Sequence, residues 1–139
     1  MKKTNTECGD NMIFKGVRIR FDCRNNEQYS KIGEFWTYMR TEYPDYSLKG
    51  VGYNWNNDSF DYCIGDFSSL DFHMDKVKEC YPNADYVEIT LPDNEWQVYY
   101  GRTEKLSDLY DEIYKNGALD YEIEEFFTNG DCKISICRL

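Results

Sequence analysis

Residues 121–127 read YEIEEFF, a run in which acidic and aromatic side chains alternate at the spacing of an extended strand. A period of two puts Tyr121, Ile123, Glu125 and Phe127 on one face and Glu122, Glu124 and Phe126 on the other. The first set is expected to cover the helices. The second set has two readings. On a solvent face the glutamates need no explanation and Phe126 is a lone exposed ring. In a cavity, a carboxylate beside aromatic rings makes a site for a cationic or hydrogen-bonding organic molecule, because rings offer apolar area and cation–π attraction while the carboxylate supplies charge. Alternation alone favours solvent, but the supply of aromatics argues the other way. The chain has 13 Tyr, 8 Phe and 3 Trp, 17% in all, with Tyr53, Trp55, Tyr62, Trp96, Tyr99 and Tyr100 on extended runs. Tyrosine hydroxyls need partners when buried, and a partly wet pocket provides them more easily than a dry core.

Other chemistries find less support. The single histidine, His73, has no partner at ligand spacing and no CxxC pair occurs, so no metal site is expected and no cofactor is implied. No pairing of a nucleophile with a base is visible, which leaves catalytic residues unassigned. Net charge is -10 and Lys and Arg are scattered apart from Lys2-Lys3, so no basic stripe exists to meet a phosphate backbone and direct nucleic-acid binding is not expected. No apolar run approaches the roughly 18 residues of a membrane span, and no apolar segment follows the N-terminal lysines. The expectation is a cytoplasmic protein whose six cysteines (Cys8, Cys23, Cys63, Cys80, Cys132, Cys137) are reduced.

At 139 residues the chain suits one domain with its own core. Residues 14–22 (FKGVRIRFD) alternate Val17, Ile19 and Phe21 with Arg18 and Arg20, a half-buried strand. The period then changes. Ile32, Phe35, Trp36, Met39 and Tyr43 form one stripe, predicting a helix over 29–43 that Pro44 ends. LKGVGYNW (48–55) and SFDYCIGDF (59–67), parted by Asn56-Asn57-Asp58, predict a hairpin. Residues 68–85 read as a connector with a short helix near 74–79. YVEITLP (86–92) and EWQVYYGR (95–102) are extended runs either side of Asp93-Asn94. Leu106, Leu109, Tyr110 and Ile113 give a second helical stripe over 105–116, closed by Asn116-Gly117, and Asn129-Gly130 turns the last hairpin.

Strand, helix, strand, strand thus recurs, with Tyr38 and Tyr110, and Ile64 and Ile136, equally far apart along the chain. The expected fold is α+β: two halves, about 14–67 and 85–139, related by a pseudo-twofold, with helices on the same side of the sheet, a ligand groove along the join, and a flexible segment 1–13 ahead of a single domain over 14–139.

The run YVEITLPDNEWQVYYG with LSDLYDEIYKNG, IEEFF and DCKISICRL resembles the GyrI-like, or bacterial transcription-activator effector-binding, domain family. In the first half KIGEFW, with Trp36, and the hairpin GVGYNW and FDYCIGDF, with Tyr62, are similar to the corresponding family elements. Phe126 departs from a pattern in which tyrosine is common there. The resemblance assigns the pocket glutamate to Glu124 and implies a stand-alone copy, with no helix-turn-helix ahead of residue 14. It implies binding of a lipophilic, cationic or aromatic compound, with Glu124, Trp36, Tyr62, Trp96, Phe126, Tyr53 and Trp55 as binding residues. Glu122 and Glu125 are expected to be more exposed than Glu124. Two alternatives come with the family: hydrolysis of reactive lipophilic natural products, with Glu124 beside Tyr62, Trp36 or Tyr99, or inhibition of a DNA gyrase through protein contact.

Overall fold

The computed structural model describes residues 12–24, 27–93 and 95–139. Most of the segment expected to be flexible, and Cys8 with it, lies outside the described residues; Ile13 already opens a strand. The alternating run becomes β1 (Ile13–Asp22) and the first stripe becomes α1 (Gln28–Glu42). β2 (Lys49–Tyr53) and β3 (Ser59–Asp66) follow, then α2 (Met74–Cys80), β4 (Asp85–Thr90) and β5 (Gln97–Arg102). A 3-10 turn, Thr103–Lys105, leads into α3 (Leu106–Tyr114), and β6 (Tyr121–Phe126) and β7 (Asp131–Cys137) close the chain. Gly117 and Gly130, at the end of α3 and in the β6–β7 turn, adopt φ of +103° and +91°, left-handed values that glycine takes without strain.

The protein is α+β, with three helices and one antiparallel seven-stranded sheet in the order β4-β1-β3-β2-β6-β7-β5 among the described residues. β2 and β6 pair at its centre, Gly50 opposite Glu124 and Gly52 opposite Glu122. The two runs flanking Asp93, adjacent in sequence, occupy opposite edges. Laid flat at ~4.8 Å spacing, seven strands would put those edges about 29 Å apart, more than the ~25 Å that seven extended steps from Thr90 to Gln97 reach. The sheet is therefore coiled, and the connection crosses behind it.

Periodicity does not say which face is covered, and here the expectation fails. The helices lie over the face that carries Glu122 and Glu124, not the face of Tyr121 and Ile123. From α1, Phe35, Trp36 and Met39 are buried against Val17, Ile19, Phe21, Tyr62 and Ile64. From α3, Ile113 is buried against Ile134 and Ile136, which sit opposite Glu124 and Glu122 on β7. Each such apolar side chain stabilises the fold by on the order of 1.5–3 kcal/mol. The other face is filled by Phe14, Val51 and Ile123 and closed by Leu91 and Trp96 of the crossing connection.

Cys23, Cys63, Cys80, Cys132 and Cys137 are unbridged. Among the described residues no helix is long and apolar enough to cross a membrane, and no group of His, Cys, Asp and Glu is arranged to hold a metal.

Candidate functional site

Between the helices and the sheet is a cavity of about 720 Å³. Beneath its lining runs β2, whose two positions on that face, Gly50 and Gly52, are both glycine. A Cβ on Gly50 would stand 2.1 Å from the Tyr62 hydroxyl, and one on Gly52 would stand 3.0 Å from Trp55. A bare backbone lets neighbouring side chains lie across it. Tyr62 of β3 thus reaches over β2 to hydrogen-bond Glu124 of β6, two strands away. Above them, Trp36 Nε1 donates to the Tyr62 hydroxyl at 2.8 Å. Trp36 also meets Phe126 edge to face, with ring centroids 5.5 Å apart.

Glu124 is as buried as its resemblance-based role requires, but Glu122 is equally so, each 6% exposed. The expectation of an exposed Glu122 is corrected: it shares the covered face, and α3 closes over both. Glu125, on the opposite face, is partly exposed and lies 3.7 Å from Lys133. Tyr110 of α3 hydrogen-bonds to Glu122 Oε2 and to Glu124 Oε2. One hydroxyl has one proton for two carboxyls, an arrangement that a proton on one of the carboxyls completes. Burial, then the charge of Glu124, pushes the Glu122 carboxyl well above its usual range. Burial also raises Glu124, against the donors Tyr110, Tyr62 and Glu122 that favour its anion. Both carboxyls are thus pushed up, Glu122 the more strongly, so Glu122 holds a proton the more firmly and Glu124 is the one whose anion has donors. Tyr62 and Tyr110 are held in their neutral donor form by burial and by the same carboxylates. No described Lys or Arg is within ion-pair distance of either glutamate.

Trp36, Tyr62, Glu124, Phe126 and Trp55 all line the cavity, but Tyr53 and Trp96 do not. Tyr53 stacks on Tyr121 behind the sheet, ring centroids 6.2 Å apart. It parts from Trp55 because Asn54, at φ 58°, breaks the strand alternation in a left-handed conformation that asparagine tolerates, and its side chain is tied to Asp61 at 2.9 Å. Trp55 is thereby turned over Gly52 and onto Phe60. Trp96 belongs to the crossing connection and donates to the Pro92 carbonyl at 3.2 Å, facing Ile123 from behind. Tyr99 packs with Ile113 and Ile134 rather than in the cavity. Tyr110 was legible as part of the α3 stripe, and the GVG alternation in β2 was the available signal for the bare backbone that Tyr62 and Trp55 cross.

The raised carboxyls have a signed consequence. The folded state binds a proton at Glu122 that the unfolded chain has lost once pH exceeds its ordinary value of 4.5. That contribution to stability is full below 4.5 and declines as pH rises toward the folded pKa. Melting temperatures of the protein and of Glu122→Gln, taken from pH 5 to pH 8, should show the native protein losing stability relative to the variant as pH rises. A difference independent of pH would show that Glu122 is not protonated in the folded state.

No family model matches the sequence, and no curated protein matches it. Among solved structures, the fold is similar to SAV2435 bound to tetraphenylphosphonium, with a TM-score of 0.61 and 14% identity over 90% of this chain and 87% of that one. At that identity the likeness carries the fold.

Proposed function

We propose that this protein binds lipophilic cationic or aromatic organic compounds in the cavity between helices and sheet, with Glu124 as the charged anchor and Trp36, Tyr62, Trp55 and Phe126 as walls. The observation that carries the reading is a pair of carboxyls buried among aromatic rings with no described Lys or Arg within ion-pair distance. Such a carboxylate has given up hydration, and a ligand cation offsets that cost while the rings supply apolar area and cation–π attraction. The similar fold of a protein solved with tetraphenylphosphonium supports the choice of ligand class.

On this reading the chain is a cytoplasmic member of the GyrI-like effector-binding family, with its binding domain over 14–139. The order β1-β3-β2 joined to β6-β7-β5 supports the duplicated, pseudo-twofold halves, with β4 an addition to the edge of the first. Titration with tetraphenylphosphonium by calorimetry, and a thermal-shift screen of cationic dyes and drugs, test it; saturable binding with a rise in melting temperature is expected. No binding across such a panel would reject the reading. The adjoining carboxyls, Glu122 with the more strongly raised pKa, also favour a second reading, acid–base hydrolysis of a reactive lipophilic compound, since they could donate and accept a proton at one place. Product formed from a screened compound would distinguish it.

A further inference from the structure

The cavity is not lined by acid alone. Arg40 lies one turn beyond Trp36 on α1, so both project from one face of the helix. Its guanidinium carbon stands 4.6 Å from the Trp36 ring centre and 5.9 Å from that of Phe126. It forms no ion pair with a described acidic residue, not with Asp111, which lines the cavity from α3. A fixed cation therefore occupies the outer side of the same indole whose inner edge hydrogen-bonds toward Glu124 through Tyr62. A purely cationic ligand gains at the glutamates and loses at Arg40.

From this we infer that the site is built for amphoteric ligands, flat aromatic compounds with a cationic or donor end at Glu124 and a carboxylate or other acceptor end at Arg40. The inference rests on the reading of the cavity as a cation site and narrows it. The inner end of the cavity presents carboxyls and Arg40 presents a guanidinium over the Trp36 ring, so a matching ligand carries a cationic or donor end and an anionic or acceptor end. The guanidinium rests over the Trp36 ring and near Phe126, and its fork of donors can pair two-fold with a carboxylate. Of the other polar groups lining the cavity, Gln28, Thr103 and Ser107 carry no charge, and Asp111 is exposed to water that screens it.

Rhodamine B and its ethyl ester share one cationic ring system and differ in a single carboxylate, which makes them the direct test. Fluorescence anisotropy at pH 7.5 should give the free acid the tighter dissociation constant by about threefold to fivefold, the range for a partly solvated ion pair. Arg40→Met, which keeps an apolar chain on the rings, should abolish or reverse that preference, and Glu124→Gln should weaken both dyes together. Because Arg40 is exposed, the variant should melt as the native protein does. Equal binding of the two dyes, or a preference unchanged in Arg40→Met, overturns the inference and leaves the cation site standing. Binding of neither dye, in a protein that also ignores tetraphenylphosphonium, removes both.

Discussion

Replacing Glu122 and Glu124 together with glutamine should lower affinity for tetraphenylphosphonium by about 1–3 kcal/mol, roughly 5- to 150-fold, the loss of a partly screened charge attraction, while the protein stays folded or gains stability. The single variants should differ. Glu122→Gln resembles the protonated acid already present, so affinity should be nearly unchanged. Glu124→Gln removes the ionised partner, but it also removes the like charge that helps keep Glu122 protonated, and Glu122 is then free to ionise and restore part of the attraction. The expected order of affinity is native, Glu122→Gln, Glu124→Gln, then the double variant, read by calorimetry. Melting temperatures at pH 7.5 should not fall, because a neutral amide buries at less cost than an unpaired carboxylate. If the double variant binds as tightly as the native protein, the carboxyls do not hold the cation.

Gly50→Ala should destabilise the fold by about 1–3 kcal/mol and weaken cation binding with it, although residue 50 need touch no ligand. Its Cβ would stand 2.1 Å from the Tyr62 hydroxyl and 3.0 Å from the Trp36 ring, so the tyrosine must leave its course over β2. Glu124 then loses a donor that favours its anion, and its pKa rises further. Gly33→Ala is the contrasting case. On α1, where a Cβ meets nothing within 4 Å, it should stabilise by about 0.5–1 kcal/mol through helix propensity. Urea unfolding of both variants measures this. A Gly50→Ala protein with native stability and affinity would show that Tyr62 does not cross the strand.

What the sequence made legible was local. The stripe Phe35, Trp36, Met39, Tyr43 and the alternation in residues 121–127 placed a helix and the two faces of a strand, because each depends only on neighbours along the chain. Which face the helices would cover was not legible, since period two is the same whichever side is buried. Glu122 and Glu124 were therefore correctly put together but wrongly divided into exposed and buried. Tyr53 and Trp55 were separated by one left-handed residue, Asn54, that alternation does not register. Trp96 was lost to the cavity by topology: the pattern gives two extended runs around Asp93, and only pairing partners far away in sequence send them to opposite edges. Tyr110 and Arg40 sit on helices whose rotation about their axes is set by that same distant packing.

The connection behind the sheet divides the cavity's chemistry as well as the chain. Everything before it carries Trp36, Arg40, Trp55 and Tyr62; everything after carries Tyr110, Glu122, Glu124 and Phe126. The two lots meet through the β2–β6 seam, where Gly50 faces Glu124. A backbone cut at Asp93 would leave two fragments, one with the rings and the guanidinium, the other with the carboxyls, and neither with a binding site. A compound lodged between them would then act as adhesive, its affinity adding directly to the affinity of the fragments for each other. On the proposed function the fold is in this sense a two-part receptor joined by a short tether, and severing the tether would convert ligand binding into chemically induced dimerisation.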